Sequence, residues 1–298
     1  MCREFFKVNV KQYSDNLNFE VVRPSSLNYP QNNSVMFLME KYIADWEKLL
    51  SVRECLIFWP QAISLPQRLS EHHAIVCCEN TRLEFCNFFK RNNIRNLPVH
   101  EKMANINGAC VSENATIGDG TVIMPGAYIS GQVKTGKNCY IGAGVKLMGQ
   151  IDMGNNVVIR ENSVLGSDGL STDRDAKGSV VTMPQFGGIK IGDHVDIGAN
   201  CVIARGAIDD TVICSGCKLD NSVFISHNVH LGKDTLIVGE TIMFGSSSTG
   251  ERAYISGNSS IRNKIRLGSD TIIGMGAVVT KNVEDGKVVL GNPARERV

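Results

Sequence analysis

From Val111 onward a bulky aliphatic residue returns at every sixth position. Val111, Ile117, Ile123, Ile129, Thr135, Ile141, Leu147, Met153, Ile159 and Leu165 keep this register without a break. It resumes at Ile191, Ile197 and Ile203, slips by four residues, and runs on as Ile213, Leu219, Ile225, Leu231, Ile237, Met243, Thr249, Ile255, Ile261, Leu267, Ile273 and Val279. Small or β-branched residues (Ala109, Ala115, Thr121, Ala127) stand two positions before the first four anchors. A period of six is neither the 3.6 of a helix nor the alternation of a half-buried strand. It predicts short strands joined by corners, with three hexads closing one triangular coil of about eighteen residues. Anchors stack inside, and Gly or Asn takes corners that need a positive φ. Such a solenoid buries a continuous core with few aromatics.

Residues 1–105 lack this period. They mix strand-like runs, Phe19-Glu-Val-Val22 and His73-Ala-Ile-Val-Cys77, with helical patterns over residues 40–50 and 81–92. This predicts a small α/β domain, and Asn96-Leu-Pro98 reads as the turn leading out of it. The β-helix is expected over residues 106–285, with residues 286–298 as a tail. Two interruptions stand out. Residues 166–188 break the register, and a loop of that length on a regular solenoid is either functional or disordered. The slip before Ile213 contains the smaller bulge Ala207-Ile-Asp-Asp-Thr211.

Composition narrows the partners. Lys plus Arg is 31 and Asp plus Glu is 30, a balance that argues against nucleic acid. No apolar run reaches the length of a membrane span, and the charged start Met1-Cys-Arg-Glu-Phe-Phe-Lys7 is unlike a signal peptide, so a cytoplasmic protein is expected. Of 10 cysteines, Cys214 and Cys217 form a lone C-x-x-C, whereas a tetrahedral zinc site wants a second pair. Cys110, Cys139, Cys201 and Cys217 lie at or near small inward positions and read as apolar filler.

The stretch Ile225-Ser-His-Asn-Val-His-Leu-Gly232 carries the candidate chemistry. Residues eighteen apart share a face of the solenoid, which predicts a column of Asp209, His227, Gly245 and Asn263. Asn228, Ser246 and Lys264 form the next column. A carboxylate one coil from His227 would raise its basicity and orient the ring for general-base work. A glycine at 245 would leave a backbone N–H open to an oxyanion. A corner histidine with no function has the same spacing, and both readings stand at this point. His194 and His230 read as surface or subunit-contact residues, and His72 and His73 carry no motif.

Several motifs occur in order: Gly166-Ser-Asp-Gly169, Met183-Pro-Gln185, Ile191-Gly-Asp-His-Val-Asp-Ile-Gly-Ala199, Arg205-Gly-Ala-Ile-Asp-Asp-Thr211, Lys218-Leu-Asp-Asn221 and Ile225-Ser-His-Asn-Val229. Together they resemble the UDP-3-O-acylglucosamine N-acyltransferase (LpxD) family of lipid A synthesis. Arg23-Pro-Ser-Ser26 and Val35-Met-Phe-Leu-Met-Glu-Lys-Tyr42 are similar to that family's uridine-binding domain. The resemblance implies a left-handed parallel β-helix, assembled as a homotrimer with active sites between subunits. It implies that His227 is the general base and that the Gly245 amide holds the oxyanion. It places Asp220, Asn221, Asn228, Ser167 and Asp168 at the substrate, and Phe37 and Tyr42 on uracil, although their spacing differs from the family's by one residue.

There are departures. Lys264 stands where the family has a second histidine. The family continues into C-terminal helices that help to hold acyl carrier protein, and this sequence stops at Val298. Its ending resembles hexapeptide acetyltransferases acting on nucleotide-linked amino sugars. That resemblance implies a CoA site at Gly274, Gly276, Lys281 and Arg295, and Lys264 suits a phosphate or polar pantetheine group. The expected reaction is therefore N-acylation of a nucleotide-linked amino sugar by acyl-CoA, chiefly acetyl-CoA, in surface polysaccharide synthesis. The alternatives are LpxD proper, fed by acyl carrier protein, and a non-catalytic β-helix scaffold. No metal and no tightly bound cofactor is expected.

Overall fold

A computed structural model describes residues 4–14 and 16–297. The chain divides into two units: one runs to Leu97 and also takes Leu170–Phe186, and the other contains Pro98–Gly169 and the chain from Gly187 onward.

The first unit is built on a parallel sheet ordered Arg23–Pro24, Ser34–Phe37, Leu56–Pro60, Ala74–Cys78. The near-continuous apolar run of Leu56–Pro60 fits a strand covered on both faces, and all five residues are buried. The helix Thr81–Arg91 starts at Asn80, whose side chain accepts the Leu83 N–H at 3.0 Å. The segment Glu40–Ser51 winds as a 3-10 helix rather than an α-helix. The residues that pack inward are Ile43, Trp46 and Leu49, three apart each time, which is the 3-10 repeat.

The 170–186 segment is folded. Thr172–Arg174 and Val180–Thr182 form an antiparallel hairpin that packs against the helix Thr81–Arg91. Phe186 follows it into an aromatic cluster, 5.1 Å from both Phe5 and Phe89 and 6.0 Å from Phe6 between ring centroids. The Asn96 amide donates to the Gln185 carbonyl at 2.6 Å. Burial of Phe186, which is 3% exposed, gives this excursion from the repeat a core of its own.

The second unit is the parallel β-helix that the six-residue period predicts. Its strands form three faces: face I contains Phe224–Ile225, face II His230–Leu231 and face III Lys218–Leu219. Pairing advances by one coil, as in Ile129 with Leu147 and Ile237 with Ile255. The aliphatic anchors from Ile129 to Val279 are buried. Thr135 and Thr249 keep anchor positions by accepting the N–H of Gly118 and Gly232, at 3.0 and 2.9 Å. Cys139, Cys201 and Cys217 are the small inward fillers expected, whereas Cys110 points outward from its strand. Three residues past an anchor, the corner takes a left-handed backbone, as at Asn138, Asn200, Asn228, Ser246, Asn258 and Lys264. Antiparallel strands close both ends of the stack, Met103–Ile106 on Ala109–Ser112 and Arg295–Glu296 on Val288–Leu290. Among the described residues no helix is long and apolar enough to cross a membrane.

The first unit holds one acid-labile group. His73 is 3% exposed, its Nδ1 accepts the Cys55 N–H at 3.3 Å, and burial pushes its pKa down to about 4. With the folded pKa lowered, the unfolded chain takes up a proton first. Stability is therefore unaffected above pH 6.5 and is lost as pH falls from 6.5 toward 4, by about 3 kcal/mol in all. Denaturant titrations at pH 7 and pH 5 should find that the protein loses about 2 kcal/mol more than the His73→Asn variant between them.

Candidate functional site

Both irregularities of the β-helix lie at one corner, where face I passes to face II. The chain leaves the solenoid after Val164–Ser167 and returns at Ile189–Ile191. One coil later the bulge lies between Val202–Ala204 and Thr211–Ile213. His227 occupies the same corner on the coil above. The two excursions are tied together. Arg205, 7% exposed, donates from Nε to the Gly187 carbonyl at 2.7 Å. Asp210 accepts the Gly188 N–H at 2.7 Å through Oδ1 and meets Lys190 at 3.0 Å through Oδ2.

The bulge corrects the expected column. Ile203 pairs with Ile225 and Val202 with Phe224, a step of 22 residues rather than eighteen. The residue beneath His227 in the stack is therefore Arg205, not Asp209. Asp209 lies inside the bulge and reaches the histidine indirectly: its backbone carbonyl accepts the Asn228 side-chain N–H at 2.6 Å. The Asn228 Oδ1 accepts the Ala207 N–H at 3.0 Å and stands 3.0 Å from His227 Nδ1. The Asn228 backbone N–H donates to Thr211 Oγ1 at 2.9 Å.

Two glycines flank the half-buried imidazole. A Cβ added at Gly245 would lie 2.6 Å from His227 Nε2 and 2.8 Å from Cε1. One added at Gly169 would lie 2.9 Å from both Cβ and Cδ2 of the same residue. Any side chain at either position would push into the ring. The coil above keeps its register, since the Ser246 N–H donates to the His227 carbonyl at 2.9 Å and the Lys264 N–H to the Gly245 carbonyl at 3.1 Å.

Other predicted residues fall in several places. Ser167 and Asp168 are at the His227 corner. The Ser167 carbonyl accepts the Arg205 N–H at 2.9 Å. Burial of the Asp168 carboxyl pushes its pKa up, and the charge on Arg205 opposes that shift. Asp220 and Asn221 occupy a different corner, between faces III and I. There Asp220 accepts the N–H groups of Asn221 and Gly239 at 2.8 and 3.2 Å, and Asn221 accepts that of Ala199 at 2.7 Å. In the first unit Phe37 packs on Phe85 at 4.9 Å, while the exposed Tyr42 ring lies under the Lys41 ammonium at 4.5 Å. The five residues expected at CoA do not gather. Lys264 and Lys281 follow face I, Gly274 and Gly276 turn from face III to face I, and Arg295 is exposed in the last strand. Sequence reasoning missed Gly169 and Arg205 as parts of the site. A lone arginine directly before a register slip was the available signal for the second.

Residues 114–145 and 132–167 match a family model described as bacterial transferase hexapeptide (six repeats). Stretches of the chain are similar to UDP-3-O-acylglucosamine N-acyltransferases. The Bordetella parapertussis protein is 40% identical over 124 residues, covering 41% of this chain and 34% of its own length. That of Delftia acidovorans is 41% identical over 128 residues, 43% and 38% of the two chains. That of Hahella chejuensis is 39% identical over 139 residues, 47% and 40%. The chain thus spans 34–40% of the length of these relatives. Among solved structures, a UDP-N-acetylglucosamine acyltransferase from Campylobacter jejuni superposes with a TM-score of 0.57 at 21% identity, over 64% of this chain and 72% of that one. LpxA from Bacteroides fragilis gives 0.57 at 22%, over 63% and 71%. At that identity they share the fold.

These relatives overturn one expectation. The sequence reading gave first place to acetyl-CoA and an amino sugar of surface polysaccharide, from the ending at Gly274, Gly276, Lys281 and Arg295. All three sequence relatives are UDP-3-O-acylglucosamine N-acyltransferases. A glycine and a cation at the end of a β-helix also suit the last turns of any stack, so the ending did not discriminate.

Gly245→Ala should turn the His227 ring while leaving the β-helix folded. The histidine ring resonances should shift in NMR spectra with far-UV circular dichroism unchanged, and stability should fall by about 1–3 kcal/mol through overpacking.

Proposed function

We propose that this chain transfers an acyl group from the thioester of acyl carrier protein to the amine of UDP-3-O-acylglucosamine. The single observation that supports this most is the corner histidine. His227 is held between two glycines at the place where both excursions of the solenoid converge, on a chain similar in sequence to enzymes of that name.

The amine nitrogen attacks the thioester carbonyl carbon, and His227 Nε2 accepts the proton that the nitrogen loses. The carbonyl oxygen becomes an oxyanion. The Gly245 N–H is suited to meet it, because Gly245 is buried and its N–H makes no hydrogen bond among the described residues. An unpaired buried donor is costly unless a ligand fills it. The carbon–sulfur bond then breaks, the proton returns from the imidazole to sulfur, and thiol leaves. Asp168 and Ser167 border the same corner and are suited to sugar hydroxyls.

Asp220 and Asn221 lie on another corner of the same chain, so they serve this site only across a subunit boundary. A trimer supplies that. The outward positions of face III carry Val122, Leu236, Tyr254 and Ile272, exposed by 51%, 41%, 40% and 43%, and the row is broken by the Asp196–Lys218 ion pair. The outward row of face II is more polar, with Lys134, Asp152, Lys190, His230 and Arg266 around Val212. Packing three prisms about an axis would cover the apolar side chains of face III and bring unlike corners together.

His227→Ala should lower acyl transfer from acyl carrier protein to UDP-3-O-acylglucosamine by about 10²–10⁴-fold while the protein stays folded. Near-normal turnover in that variant would overturn the assignment. Sedimentation should find a trimer that Leu236→Glu with Tyr254→Glu dissociates. A monomeric parent protein would remove the shared-site reading.

A further inference from the structure

The bulge before Ile213 has a chemical consequence at the histidine. Asn228 meets two backbone groups whose roles are fixed. Its Oδ1 faces the Ala207 N–H at 3.0 Å, and its Nδ2 faces the Asp209 carbonyl at 2.6 Å. Turning the amide over would set N–H against N–H and oxygen against oxygen. The assignment of O and N therefore follows from the network rather than from the shape of the side chain. The atom 3.0 Å from His227 Nδ1 is then Oδ1, which accepts and cannot donate. In the neutral ring the hydrogen must sit on Nδ1, and the lone pair is left on Nε2, the nitrogen beside Gly245.

We propose that Asn228, held by the Ala207–Thr211 bulge, is a positioning residue that fixes neutral His227 as its Nδ1–H tautomer. This rests on the reading of His227 as the base and deepens it. The extra residues of the 22-residue step supply both constraints, the Ala207 N–H and the Asp209 carbonyl. A regular coil has neither. The backbone of Asn228 is fixed as well, by its bond to Thr211 Oγ1 and by a left-handed φ of 59°, which asparagine tolerates. Three constraints thus hold one amide in place, and the amide decides which ring nitrogen is the base. The orienting partner is a neutral group, so it sets geometry without adding charge.

The test reads the tautomer without substrate. The whole protein is labelled with ¹⁵N-histidine, and long-range proton–nitrogen NMR spectra are recorded at a pH where the ring is neutral. His227→Ala assigns the resonance. Expected is a protonated, pyrrole-type Nδ1 and an unprotonated, pyridine-type Nε2. Asn228→Gly keeps the left-handed corner and removes the amide, so His227 should become a tautomer mixture, with circular dichroism unchanged. Its kcat should fall on the order of tenfold to a hundredfold with KM held. A pyrrole-type Nε2 in the parent protein overturns the proposal, and so does an Asn228→Gly spectrum identical to the parent's. If the glycine variant does not fold, the parent spectrum alone decides. Should His227→Ala keep its activity, the acyltransferase reading fails while the tautomer result stands by itself.

Discussion

Coil-to-coil pairing governs this molecule. Each strand bonds in parallel to the one a coil before it, and each anchor lies on the anchor beneath. An extra residue inside a strand shifts the ladder, as Gly166 does between Leu165 and Ser167. Longer extra chain is placed at a corner and returns to the same register. The two excursions obey this. Ile151 pairs with Ile189 and Val202 with Phe224, steps of 38 and 22 residues, and both depart between faces I and II. Every pair spanning an excursion shares its longer step, Val158 with Asp196 and Ile189 with Thr211 among them, and the other pairs from Val133 to Val279 keep the regular one. Between Val133 and Val279 the inserted chain is thus confined to the corner that carries His227, the candidate site.

Much of this was legible in the chain, because the period belongs to the backbone geometry itself. The buried anchors and the left-handed positions three residues beyond them follow from a period of six and a preference for Asn and Gly. What was not legible depends on contacts distant in sequence. Phe186 belongs to an interruption of the repeat, and only the Phe5, Phe6 and Phe89 rings explain why it folds with the first unit. Glu40–Ser51 carries apolar residues at both three- and four-residue spacings, and the core selects Ile43, Trp46 and Leu49.

The column beneath His227 failed for a sharper reason. Counting eighteen residues back assumes a regular coil, and the intervening step is 22. The slip itself was visible, yet where its extra residues would point was not. They turn back on the corner, so that Asp209 presents a backbone carbonyl to Asn228 and Arg205 takes the place beneath the histidine.

On the proposed reading, the base at this corner is set by position as well as by charge, since Asp168 and Arg205 lie beside it. Carboxylates near the ring would favour its protonated form and make it slower to release a proton to the leaving thiol. The partner seen at Nδ1 is a neutral amide, and the neighbours on either side of the ring are glycines. A base for a thioester has a modest task, since the acyl group is already activated and the amine becomes strongly acidic once it has attacked. On the proposed reading, the site must supply a lone pair at a fixed place beside an oxyanion donor. A rigid solenoid does this well: the imidazole and the Gly245 N–H sit on adjacent coils, and the spacing between coils is set by the backbone hydrogen bonds that hold the entire stack together.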